Sequence, residues 1–225
     1  MDEAQAWLHR GGRVEVFTEA IPWPDEPPAD NALAAYKRRR SFPASSGTLP
    51  IRVIVSLMAT FAGACPNLLP DMRCGVYEHR PRACRVYPAE VNPFIALDPA
   101  AKLCPPEAWQ TDDVLQVDHA IVGMREADFS EAAMKAALCQ RLAITTAGLS
   151  NEGVVAHAPS PQRLLDALAA VMAGDVSAST GDWTFVSHRA ATRTLLDSAG
   201  TTHVAATALA DVAATFMPFV PGDGG

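Results

Sequence analysis

The stretch Leu49-Pro-Ile-Arg-Val-Ile-Val-Ser-Leu-Met-Ala-Thr-Phe-Ala62 decides the class of fold. It is rich in β-branched residues (Ile51, Val53, Ile54, Val55), whose stiff side chains pack well on a pleated backbone. The apolar run from Ile51 to Ala64 is broken early by Arg52 and is too short to cross a membrane as a helix, which needs roughly 20 residues. It reads as a buried central strand. Upstream, Arg13-Val-Glu-Val-Phe17 alternates polar and apolar residues and reads as a second strand. A short helix over residues 2–10 precedes it, ended by Gly11-Gly12. Residues 21–30 hold four prolines and three acids and read as a loop. Residues 32–40 form a short helix ending in Lys37-Arg38-Arg39-Arg40, which reads as a solvated basic helix end. Residues 41–47 read as another loop.

Downstream the composition changes. Four of the five cysteines, Cys65, Cys74, Cys84 and Cys104, fall within forty residues. The segment from Cys65 to Trp109 carries eight prolines and cannot hold long helices. An irregular segment of this kind needs something other than a backbone ladder to order it, and a metal would do so. Four thiolates suit tetrahedral Zn²⁺ or an iron–sulfur cluster. The spacing lacks the C-x-x-C knuckle of most zinc ribbons and is not a ferredoxin run, so it separates neither metal. Reduced core cysteines and a disulfide pair are the alternatives. Arg80, Arg82 and Arg85 flank Cys84, and their charge favours ionised sulfur. His79 could replace one cysteine, although a surface histidine is the plainer reading. Cys139, within Met134-Lys-Ala-Ala-Leu-Cys-Gln-Arg-Leu142, reads as a buried core thiol on a helix.

The chain has 225 residues, 49% hydrophobic, enough for one sizeable core or one core with an appendage. Its 18 basic and 25 acidic residues leave a net charge of -7, which disfavours nucleic acid as a partner. Met1 leads into Asp2 and Glu3 without a basic or apolar leader, so a cytoplasmic protein with reduced thiols and no membrane partner is expected. No phosphate-binding glycine loop, nucleophile elbow or H-E-x-x-H is present. No local signature points to His119, His157, His188 or His203 as partner of a Cys–His hydrolase.

Past residue 110 the pattern turns helical. Thr111 or Asp112 can cap a helix to about Arg125, and Asp128-Phe-Ser-Glu131 fits a capping box for a second, with Gly148 as its stop. Ser160-Pro161 starts a third, carrying Leu164, Leu165, Leu168 and Val171 and stopping at Gly174. Residues 176–183 read as a linker. Residues 187–199 and 202–216, rich in alanine, read as two more helices.

The words around the cysteines say more. Cys65-Pro-Asn-Leu-Leu69, then Arg73-Cys74-Gly-Val-Tyr77-Glu78, then Arg80-Pro81-Arg82-Ala-Cys84-Arg85-Val-Tyr87-Pro88 together resemble the YkgJ-like cysteine cluster family, a zinc- or iron-chelating domain also known by the pattern CxxCxxCC. The resemblance spans residues 51–104 firmly and residues 1–16 weakly. It implies a small cytosolic domain binding zinc or an iron–sulfur cluster through Cys65, Cys74 and Cys84, with Cys104 as fourth ligand. Tyr77, Arg80, Arg85 and Tyr87 would then support the ligands without touching metal. Members usually carry a further C-x-x-C-x-x-C-C group, and no cysteine precedes Cys65 here. Residues 2–7 look like sequence that follows such a group, which implies a shortened start or a branch with half the ligands.

These readings combine into an α+β fold: a small sheet with irregular cysteine-rich loops plus a C-terminal helical bundle. Residues 13–17, residues 49–62 and a short strand near Val76 would build the sheet. The expected division is a metal-binding domain over residues 1–110, a helical region over 111–217 and a disordered tail over 218–225. The expected role is metal chelation, structural or for metal handling, with a metal ion as partner and no protein partner indicated. An iron–sulfur-dependent methyltransferase similar to flagellin lysine methylases is the enzymatic alternative, and a metal-free interaction module is the other.

Overall fold

The computed structural model describes residues 1–98, 114–176, 181–209 and 213–219. The α+β class is borne out. The chain divides into two compact units, Met1–Phe61 with Glu131–Gly225, and Ala62–Ser130.

The first is a sheet unit. Helix α1 (Asp2–His9) leads into strand β1 (Arg13–Pro22). Helix α2 (Ala32–Arg39), capped by the Asn31 side chain on the Ala34 N–H, is followed by β2 (Ser41–Ser46) and β3 (Leu49–Thr60). β1 and β3 pair antiparallel from Arg13 opposite Thr60 to Pro22 opposite Ile51. Alternate residues Val14, Val16 and Ala20 of β1 meet the core, as its alternating pattern dictates. The expected loop over residues 41–47 is a strand instead, the outer partner of β3. Its serines and Pro43 carry little strand propensity, but an outer strand tolerates proline, and pairing decides. The β2–β3 turn needs Gly47, which has φ +55 and whose missing Cβ leaves room for the Gly200 carbonyl.

After Ser130 come α5 (Ala132–Arg141), β4 (Thr146–Leu149) and β5 (Gly153–His157). The helix expected to run to Gly148 ends earlier. Ala143 takes a left-handed φ of +53, and the chain then joins the sheet beside β1 in parallel. Gly148 sits in that strand, where its bare Cα lets the Gly153 backbone pass. Helix α6 (Pro161–Met172) forms where its signals place it: Ser160 caps the Arg163 N–H, Pro161 opens the helix, and Leu164, Leu168 and Val171 fall on one buried face. β6 (Thr184–Ser187), α7 (Ala190–Ser198), β7 (His203–Ala205) and β8 (Ala214–Pro218) complete the unit.

The segment expected as one helix over residues 202–216 therefore holds two strands, the first followed by a short 3₁₀ turn, Ala206–Ala208; residues 210–212 lie outside the described residues. Alanine content favours helix, but β7 pairs in parallel with β6, and β8 pairs antiparallel with β5. Tertiary pairing overrides a weak local preference. The sheet is thus larger than expected, with eight strands among the described residues in the order β2-β3-β1-β4-β6-β7 and β5 joining β1 to β8. Trp7 and Leu8 of α1, Leu138 of α5 with Leu142 just after it, and the buried face of α6 close over Val16, Val53, Val55 and Phe185 to form an apolar core.

The second is a cysteine unit. It contains turns over residues 62–81, the short helix α3 (Arg82–Val86) and the long helix α4 (Val114–Ser130). α4 continues past the expected end at Arg125. The strand expected near Val76 is a 3₁₀ turn, Tyr77–His79, and the only extended pairing nearby among the described residues is an isolated bridge between Leu68 and Cys74. Residues 99–113, including Cys104 and the expected cap at Thr111 or Asp112, lie outside the described residues, as do residues 177–180 of the expected linker and most of the expected tail.

Candidate metal centre

Two of the clustered cysteines share one tight loop. The Leu68 N–H donates to the Cys65 carbonyl at 2.9 Å, closing a first turn. The Leu69 N–H then donates to Arg73 at 2.8 Å and the Gly75 N–H to Asn67 at 2.7 Å, folding the chain back so that Cys74 lies opposite Leu68. The tip of this loop is fixed by Asp71. It accepts from the Arg73 guanidinium at 2.7 Å and from the Arg73 N–H at 3.2 Å, and these bonds hold its carboxyl below the ordinary carboxylate range. The Asp71–Arg73 pair was not legible from spacing alone, because the arginines singled out by the motif lie further on. Met72 at the tip has φ +66 and is 75% exposed.

Cys84 stands on α3. The Pro81 carbonyl accepts from the Cys84 N–H at 2.9 Å and from the Arg85 N–H at 3.2 Å, so the proline starts this short helix as its fixed φ suits. Val86, on the same helix, is buried. Arg80 lies over the Tyr77 ring at 4.2 Å, a cation–π contact, and Arg85 Nε donates to the Arg80 carbonyl at 2.9 Å. Tyr77, Arg80 and Arg85 thus form one connected support between the 3₁₀ turn and α3. Tyr87 follows α3 and precedes a cis Pro88. His79 is exposed in the 3₁₀ turn.

Cys65 and Cys84 are exposed, Cys74 is half-buried, and none of the three is in a disulfide. Sulfur donors of this kind suit zinc or an iron–sulfur cluster. Among the described residues, however, no group of three or more His, Cys, Asp or Glu side chains stands around a common point. The donor chemistry fits a thiophilic metal; the described arrangement does not gather the donors.

Residues 32–105 match the family CxxCxxCC, described as "Putative zinc- or iron-chelating domain". The match begins in α2 and ends just past Cys104, so it takes in β2, β3 and all four clustered cysteines. It bears out the resemblance read from the cysteine motif. No curated protein and no solved structure matches the chain.

Cys139 is a different kind of thiol. It lies in the sheet unit on α5, 1% exposed, and burial pushes its pKa up to about 12, with Lys135 one turn earlier opposing the rise. It borders an apolar cavity of about 370 Å³ with Phe42, Ala136, Ile144 and Trp183. A neutral thiol there is a poor nucleophile and a poor ligand, which agrees with its reading as a core residue.

Proposed function

We propose that the cysteine segment is a thiolate site for one zinc ion or one iron–sulfur cluster, with Cys65, Cys74, Cys84 and Cys104 as ligands and a structural or metal-handling role. The family match over all four cysteines carries this reading. Three further observations support it. The three described thiols are unlinked and accessible or half-accessible. Two of them are placed on one loop by backbone hydrogen bonds. The stack of Arg80 on Tyr77 and the bond from Arg85 to the Arg80 carbonyl steady the segment that leads into the helix carrying Cys84, and Tyr87 completes the set expected to steady the ligands. Thiols of this type persist in a reducing compartment, so a cytoplasmic location accords with the reading. Among the described residues no helix is long and apolar enough to cross a membrane.

Metal analysis of the full chain after anaerobic purification tests it. The expected result is about one equivalent of zinc, or iron with matching sulfide and a visible absorption band. Cys74→Ser and Cys84→Ser should each lose most of the metal, while Cys139→Ser should keep it. Well under half an equivalent in the unaltered protein, or retention by both ligand variants, counts against the proposal.

A further inference from the structure

At the carboxyl end of the parallel strands β4 and β6, the sheet unit buries an acid beside a histidine. Glu152, in the turn from β4 to β5, is 5% exposed. Its Oε1 accepts from the Thr192 hydroxyl of α7 at 2.6 Å. His188 follows β6 directly, and its Nδ1 lies 3.9 Å from Glu152 Oε2. The Phe216 ring of β8 lies against the imidazole, 5.3 Å between centroids. Glu152 Oε2 and both ring nitrogens of His188 are buried without a hydrogen-bond partner. Buried polar atoms are nearly always paired, so three unmet ones at one point ask for a cause. The gap between the two groups suggests it. At 3.9 Å they stand about 1 Å beyond the length of a charge-assisted hydrogen bond. The carboxylate is an acceptor whose donor lacks only a proton and a small movement.

We propose that His188 and Glu152 form a proton-operated clasp: one proton taken up by the imidazole closes the gap to Glu152 Oε2 and tightens α7 and β8 on the β4–β5 turn. The turn already touches both elements, through Thr192 and through the Phe219 N–H, which donates to the Glu152 carbonyl at 2.9 Å. The other charged groups around this corner are few. Glu19 of β1 flanks the turn and accepts from the Ser150 hydroxyl at 3.3 Å. Arg189 and Arg193 stand beside His188 in sequence, the second donating to the Ser187 carbonyl at 3.1 Å, and both oppose a further positive charge. β6 and β8 carry no charged residue. His157, at the opposite end of β5, lies 3.1 Å from the Thr18 hydroxyl, and His203 of β7 lies 3.7 Å from Asp197. Burial of the ring also opposes the proton. The carboxylate outweighs these because it is buried too: leaving it ionised with one oxygen unmet costs more than charging its neighbour. A protonated ring that gains a partner in the fold gives stability that is present in acid and lost as pH rises, across the range of about pH 5 to 8 in which histidine changes charge.

The test follows the histidine ring signals of the full chain by NMR from about pH 6 to about pH 9, with His188 assigned by its loss in His188→Gln. Its titration midpoint should fall by about one pH unit in Glu152→Gln. Urea unfolding is the second readout. Between about pH 8 and about pH 6, the folding equilibrium constant of the unaltered protein should gain about fivefold over that of His188→Gln. The other histidines and the cysteine unit titrate in both proteins, and the difference removes them. Amide exchange in β8, compared between the two proteins at each pH, should slow in acid only where His188 is present. A midpoint that Glu152→Gln leaves unchanged overturns the clasp. So does a ring that stays neutral down to about pH 6, or a stability difference of the opposite sign, which would mean that burial outweighs the carboxylate. If Glu152→Gln does not fold, the comparison with His188→Gln decides alone.

Discussion

The buried thiol of Cys139 makes a prediction with a definite pH window. Its ordinary pKa is 9.0, and burial in the fold raises it to about 12. The folded protein therefore favours the neutral thiol, and the unfolded chain ionises it first. The resulting stability is fully present below about pH 9 and is lost as pH rises toward about 12. Each tenfold in proton affinity is worth about 1.4 kcal/mol, so at about pH 11 the folded state should have lost roughly 2–3 kcal/mol from this group alone. Lysines and tyrosines titrate in the same range, so the readout is a difference. Urea unfolding of the unaltered protein and of Cys139→Ala, from about pH 8 to about pH 11, should show the gap between them narrowing by that amount. Parallel loss of stability in both proteins across the range would refute the reasoning and mean that solvent reaches the thiol in the folded state. Lys135, one turn away, should shrink the effect if it stays charged, so Lys135→Met should enlarge it.

Three further outcomes follow from the sheet unit. Leu168→Ala removes a side chain fully buried on α6 and should destabilise by about 2–5 kcal/mol in urea unfolding, with no effect on metal content. Thr18→Val removes the hydroxyl that donates to the Thr146 carbonyl at 2.8 Å and lies 3.1 Å from His157 Nε2; a loss of about 1–3 kcal/mol is expected, and an unchanged melting temperature would show that His157 finds other partners. Gly47→Ala forces a left-handed residue and pushes a methyl group against the Gly200 carbonyl, so its cost should exceed about 1 kcal/mol, measured by thermal unfolding.

The elements legible in the sequence are those whose own residues carry the signal. β1 and β3 alternate or concentrate β-branched side chains, and α6 has its cap, its opening proline and its leucine spacing within a dozen residues. The strands that were missed carry little of their own. β2 is serine with a proline, β7 is three residues long, and β8 follows an alanine-rich run. Each is a strand because a neighbour offers a ladder: β3 across a tight turn for β2, and the more distant β6 and β5 for β7 and β8. For the site the division runs the same way. Cysteine identity, spacing and flanking arginines mark the chemistry and the family from the chain alone. The loop that places Cys74 opposite Leu68, the Asp71–Arg73 clamp and the stack of Arg80 on Tyr77 depend on backbone turns that spacing does not reveal.

The family boundary and the physical boundary do not coincide. The match runs from residue 32 to residue 105, while β3, which lies inside it, is paired along its length with β1, which lies outside. A recombinant fragment trimmed to the matched residues would strip that strand of its partner. It would leave a bare row of amides and carbonyls next to the apolar side chains of Ile51, Val53 and Val55, an arrangement prone to sticking to other copies. Metal titrations on such a fragment would report the behaviour of a torn sheet rather than of the cysteines, so the whole chain is the right object for every affinity measured at this site.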